Sequence, residues 1–253
     1  MIKILLITGA FSLAGILYAQ PVIRPLKDLI NTKDPGWPFV QDMIRKATNQ
    51  VTVLPCDTAR ANAALLNTQV TTRSPMGAVI YNTGGILVDH GWIRILGSGS
   101  KQLERSLPDW NKGKSYREFG ELPAYTLIAD DAVGGFFAIN GGGLGSDKGQ
   151  TYYLSPDRLV WEPLHMTYTA FLGFCFNDSL SNFYAGLRWT NWQQDITSLA
   201  THQVFNFYPY LWTTAGKEVN KNKRKKIPAE KQFKFNMEAR KKLGLETPPV
   251  PTT

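Results

Sequence analysis

Asp130-Asp131 is the plainest acid–base material in the chain, set between two runs, 125–129 and 135–140, that read as strands. Two carboxylates can share a proton or a metal only if they face the same way. Adjacent strand residues point to opposite faces, so this pair reads as turn-capping carboxylates. The chain has three histidines, His90, His165 and His202. Their spacing fits no metal-ligand pattern, and HExxH is absent. No GxSxG nucleophile turn occurs, and neither Cys56 nor Cys175 has a neighbouring base in sequence. The GGGLG stretch at 141–145 suggests a phosphate cradle, but no Lys-Ser/Thr follows it and it leads into a strand, not a helix. Hairpin glycines account for it. The reading is therefore no catalytic residue, no metal and no cofactor. The different-class alternative is an envelope enzyme acting on a carbohydrate or peptide, with Asp130 or His90 as its acid–base candidate.

The segment ILVDHGWIRIL carries the clearest local geometry. A two-residue turn at His90-Gly91 pairs Val88 with Ile93, Leu87 with Arg94 and Ile86 with Ile95. Alternation puts Ile86, Val88, Ile93 and Ile95 on one aliphatic, core-forming face. Leu87, Asp89, Trp92 and Arg94 take the other. That second face is either packed under residues 97–121 or left open, and burial is favoured because large aromatics are seldom exposed. If open, a Trp flanked by opposite charges has hot-spot composition. The candidate binding residues are Asp89, His90, Trp92, Arg94, Asp130 and Asp131.

The elements around these residues follow from caps and periodicity. Helices are expected from Asp34 to Ala47, after Asp57, from Ser74-Pro75 to Tyr81, near Ser106–Asn111, over Tyr168–Asn177 and over Leu180–Leu187. Short strands are expected at 51–54, 125–129, 135–140, 151–154 and 159–162. The aromatic run 205–212 reads as a proline-punctuated core segment. The basic run KEVNKNKRKK reads as a solvated, partly flexible extension, followed by a helix over Ala229–Leu243. This is a single-domain α+β protein with a mostly antiparallel central sheet flanked by helices. Its divisions are residues 1–19, 20–216 and 217–253.

Charge is unevenly placed. Of the net +8, residues 217–253 carry +7, with 11 basic and 4 acidic side chains, while residues 20–216 balance at 16 and 16. The pI of about 9.4 thus describes an appendage. The start, MIKILLITGAFSLAGILYAQ, has one cation, a short apolar run and a small residue at Ala19, the layout of a secretory signal. The run is too short to span a bilayer, which takes roughly 20 apolar residues. Periplasmic or secreted localisation follows, with no membrane span and no nucleic-acid partner expected. The basic tail suits contact with an anionic surface. Export permits a disulfide. The reading goes against a Cys56–Cys175 bridge, because Cys175 in FLGFCF suits the buried face of a helix.

Three motifs, TTRSPMGAVIYNTGGILVDHGWIRILGSG, LIADDAVGGFFAINGGGLG and TYYLSPDRLVWEPL, resemble a bacterial family of unknown function, family 2625, from about Leu26 to about Leu243. Behind it lies a similarity to the SUKH superfamily, many of whose members are immunity proteins that neutralise toxins. It rests on a helix running into a Gly-Gly turn, a strand ending in Gly-Gly before another strand, YYL, a Trp-bearing strand and an F-L helix. Phe136 stands where that pattern has an acid, and residues 186–253 extend beyond such a core. The resemblance implies a SUKH-like core and a toxin-like protein partner. Mass spectrometry of the native protein is expected to find an N-terminus near Gln20; an intact Met1 in a cytosolic fraction would refute export.

Overall fold

The computed structural model describes residues 23–245, so the expected signal at 1–19 and the end of the tail lie outside the described residues. Seven strands pair in chain order, every neighbour antiparallel: β1 (Val51–Leu54), β2 (Gly85–Val88), β3 (Ile93–Leu96), β4 (Tyr125–Asp131), β5 (Phe136–Asn140), β6 (Thr151–Leu154) and β7 (Trp161–Pro163). Sequential strands are spatial neighbours throughout, with the β1–β2 and β3–β4 connections carrying the helices of residues 55–84 and 97–124. The α+β expectation holds. The β2–β3 register is also the expected one, with Ile86 opposite Ile95 and Val88 opposite Ile93.

The helices are α1 (Leu26–Leu29), α2 (Trp37–Arg45), α3 (Thr58–Thr68), α4 (Pro75–Asn82), α5 (Leu107–Asn111), α6 (Tyr168–Asn177), α7 (Leu180–Phe183), α8 (Trp192–Ile196) and α9 (Ala229–Lys242). Side-chain caps start several of them: Asp57 accepts from the Arg60 amide, Ser74 from Gly77 and Ser106 from Asp109. Proline lies in the first turn of α4 and α5, where its missing N–H costs nothing. Helices α2, α4 and α6 pack on one another. Phe137 of β5 meets Phe171 of α6, with 5.0 Å between centroids. Cross-strand register puts Ile86, Ile95, Ala129 and Phe137 on that same side, and all four are fully buried.

The opposite face runs through Leu87, Arg94, Asp130 and Phe136. Phe136 packs on Trp110 of α5 and on Phe233 of α9. A second, two-stranded sheet of β8 (Gln203–Tyr208) and β9 (Lys223–Pro228) completes this layer. Here the structure departs from the sequence expectation. The last four residues of the basic run, Lys223–Lys226, open strand β9, which β8 holds along its full length, so this part is not a free extension. Cationic side chains alternate off an edge strand without preventing pairing, and they masked the β pattern in sequence. The helix expected at Ala229–Leu243 is α9, with Phe233, Asn236 and Arg240 buried against the body.

Trp92 is fully buried, but not under residues 97–121. It immediately precedes β3 at the turn, whereas that loop leaves the other end of the strand, roughly 13 Å away at 3.3 Å per residue. Tyr184, Trp189 and Trp192 cover it instead, at centroid distances of 5.3, 5.9 and 4.9 Å. Because Ile93 has no exposure and lies in the core layer, Ile93→Ala is expected to cost about 2–5 kcal/mol in urea unfolding. A loss below about 1 kcal/mol would place it outside the packed core.

Candidate recognition site

The second face of the sheet holds a buried ion cluster. Arg94 is 1% exposed and Asp130 0%. The Arg94 Nε donates to Asp130 Oδ1 at 2.5 Å, its Nη1 to the Gln203 carbonyl at 2.7 Å and its Nη2 to the Asp131 carbonyl at 2.8 Å. Arg105 donates to the other carboxylate oxygen of Asp130. Loss of solvation pulls the Arg105 guanidinium down to about 10 while Asp130 opposes it, so it stays charged at neutral pH. Both oxygens of Asp130 are thereby engaged, and the group is a clamp between the sheet and the 201–203 segment, not an acid presented to solvent.

Asp131 points the other way, as alternation requires. Its Oδ1 accepts from the amides of Val133 (3.1 Å) and Gly135 (2.7 Å), so it caps the β4–β5 turn. Its Oδ2 accepts from the hydroxyls of Tyr153 (2.7 Å) and Tyr184 (3.1 Å). A Cβ at Gly135 would lie 2.3 Å from the Tyr153 hydroxyl and 2.5 Å from the Asp131 carboxylate, so this approach admits only glycine. Burial pushes both tyrosines well above their usual range, keeping them as donors. The two carboxylates thus serve different partners on different faces and do not form a dyad.

At the sheet's edge the β2–β3 turn is different. Trp92 donates to the Asp89 carbonyl at 3.0 Å across His90-Gly91, the turn expected from sequence. Three successive residues, Asp89, His90 and Gly91, have φ of 51°, 60° and 85°. Two are not glycine, a conformation that costs roughly 1–2 kcal/mol per residue. Gln50 holds the strained pair: its carbonyl accepts from the Asp89 amide at 2.8 Å and its side chain from the His90 amide at 3.1 Å. Asp89 forms an ion pair with Arg188. The Arg188 guanidinium lies over Trp192 at 4.0 Å, Trp92 at 4.6 Å and Tyr184 at 5.3 Å. His90 is exposed and stands edge-on to the half-buried Trp192 at 6.3 Å.

Of the six residues singled out in sequence, Asp89 and His90 are at this tip. Trp92 forms its buried floor, and Arg94, Asp130 and Asp131 lie inside the protein. Arg188 is the member that local sequence did not reveal. It belongs to the run Arg188-Trp189-Thr190-Asn191-Trp192, whose mixture of tryptophan with a cation was its only signal. The glycine-rich stretch closes the β5–β6 hairpin, with Asn140 Oδ1 accepting from the amides of Gly142 (2.7 Å) and Leu144 (3.0 Å). Cys56 and Cys175 are free, the first exposed and the second buried. Among the described residues no three His, Cys, Asp or Glu side chains gather as a metal site, and no helix is long and apolar enough to cross a membrane.

A family model described as a protein of unknown function, DUF2625, matches residues 26–232. An uncharacterized protein of Haemophilus influenzae is 42% identical over 223 residues, covering 88% of this chain and 98% of its own. A putative uncharacterized protein of Escherichia coli K12, YbfG, is 42% identical over 190 residues, covering 75% of this chain and 86% of its own. No solved structure matches.

Burial raises the Asp131 carboxyl above its usual value, against the hydrogen bonds and Arg94 that favour its ionised form. Folding therefore takes up a proton between the unfolded value and the raised one. The stabilising contribution is full below that window and falls as pH rises through it. Asp131→Asn should flatten this part of the stability profile, read by urea unfolding at stepped pH; an unchanged slope would contradict the linkage.

Proposed function

Because the chain belongs to the DUF2625 family, whose description assigns no activity, we propose its function from its own geometry: it is a binding module that recognises a protein partner through the β2–β3 tip. What carries the reading is the contrast between the two kinds of ionisable group. Asp130 and Asp131 are buried with all four oxygens engaged. At the tip, the exposed His90 borders the half-buried Trp192 and a partly exposed Asp89–Arg188 pair, with side-chain exposures of 18% and 11%, and the backbone of Asp89 and His90 is held in an unfavourable conformation. Tryptophan and arginine are over-represented among residues that carry binding energy, and a pre-ordered turn lowers the entropy lost on association.

The partner class follows from the two readings of the sequence. Export of the chain after cleavage near Ala19 sets the encounter in the periplasm or outside the cell. The SUKH-like motif order suggests an immunity-type role, neutralising a toxin by contact. An antiparallel meander flanked by helices is compatible with that reading.

The test is photocrosslinking in the producing bacterium, with His90→p-benzoylphenylalanine and, as control, Lys101→p-benzoylphenylalanine at the far end of β3. One dominant adduct of defined mass is expected from position 90. Trp192→Ala should reduce it roughly tenfold, the effect of losing about 1.4 kcal/mol of binding. Equal adducts from both positions would overturn the assignment of the tip.

A further inference from the structure

The lobe built by β8, β9 and α9 presents a row of partly exposed aromatic rings beside cations that nothing in the sheet's ion clusters requires. Tyr208 is 66% exposed and lies directly opposite Lys223 in the β8–β9 register. Its ring stands 6.0 Å from Tyr210, which stacks on Trp212 at 4.6 Å with 12° between planes. Phe235 of α9 closes the row at 5.2 Å from Tyr210 and 5.5 Å from Trp212. Tyr210, Trp212 and Phe235 each keep part of their surface in solvent. The other side of the same hairpin is closed: Phe205 and Phe207 pack on Trp189, and Arg224 lies over Trp189 at 4.6 Å.

The charges divide in the same way. Lys223 and Lys225 of β9 are exposed, and Lys231 lies on α9 one turn before Phe235. The acids of this region are mostly spent elsewhere, Glu218 on Lys221 and Glu230 on Lys114 and Lys234. Glu238 is the remaining acid between 217 and 245. With the rest of the chain near neutrality, an anionic partner is drawn to this lobe.

We propose that this face binds an acidic carbohydrate chain, its sugar rings lying against Tyr208 and the Tyr210–Trp212 stack and its carboxylates or phosphates meeting Lys223 and Lys225. A sugar ring presents polarised C–H bonds to an aromatic face, and lysine meets an oxyanion as a compact point charge. Neutral sugars would leave the lysines unused, and a simple anion would leave the rings unused. The expected export of the chain places it among envelope glycans and away from nucleic acid. This surface is separate from the β2–β3 tip, so each stands or falls alone.

The test uses the full mature chain and isothermal titration with a galacturonic acid oligomer, a neutral dextran oligomer of equal length and a single-stranded oligonucleotide. The acidic oligosaccharide is expected to bind with an affinity that falls as salt rises, the dextran at least tenfold more weakly. Tyr208→Ala and the pair Lys223→Gln with Lys225→Gln, all at exposed positions, should each weaken binding tenfold or more with circular dichroism unchanged. Four results would overturn the proposal: no binding of the acidic oligosaccharide at low salt, dextran bound equally well, loss with the lysine pair but not with Tyr208→Ala, which marks adventitious polyanion binding, or an oligonucleotide bound as tightly as the sugar.

Discussion

The fold depends on a charge that it has buried. Arg94 lies in the middle of the sheet, and its guanidinium is satisfied only because three acceptors from two strands converge on it: the Asp130 carboxylate and the Asp131 carbonyl of β4, and the Gln203 carbonyl at the start of β8. An arginine placed there without those acceptors would carry an uncompensated buried charge, a penalty of about 3–5 kcal/mol. The β8 segment is thus obliged to dock on the sheet. Backbone bonds finish the junction, with the Phe205 amide on the Ala132 carbonyl at 2.7 Å and the Ala132 amide on the Trp92 carbonyl at 2.8 Å.

Once β8 is docked, the remainder of the second layer is constrained. Trp189 is caught between Trp92 and the β8 rings Phe205 and Phe207, which brings Arg188 over Trp92 and against Asp89. The β2–β3 tip is therefore an outcome of the same junction that buries Arg94. On the far side, β9 pairs with β8 and α9 lays Phe233 on Phe136. Asn236 donates to the Gly134 carbonyl at 3.0 Å and ties α9 to the β4–β5 turn. The basic segment is in this way an integral layer of the protein, and its charge is displayed from a fixed scaffold.

The first layer has a different character. It is apolar and aromatic, with Phe137 between Tyr153 and Phe171. Asp131 brings a carboxylate into it, which two tyrosines and two amides saturate. Apolar packing of this kind is non-directional and tolerates many partners. The ionic junction of the second layer is directional and admits one arrangement, so the two faces divide the work of cohesion and of alignment.

Local chemistry in the sequence was sufficient for the meander. Caps at Asp57, Ser74 and Ser106, helical apolar spacing, alternation through 86–95 and a His-Gly turn are interactions between residues a few positions apart, and they predicted α3, α4, α5, α6, α9 and the β2–β3 register. The face-splitting of Asp130 and Asp131 was legible for the same reason, since it follows from the strand's period of two. What lay over the second face was not legible. The partners of Arg94, Trp92 and Asp89 sit about 90 to 110 residues away, at Gln203, Trp189, Trp192 and Arg188, and no local pattern marks a contact at that separation. Strand β9 was hidden because four successive cations read as solvated chain until β8 supplies the hydrogen bonds that make them a strand. Only tertiary packing decided which of the candidate residues stayed at the surface, because burying Arg94 and Asp130 is favourable solely when both are brought together.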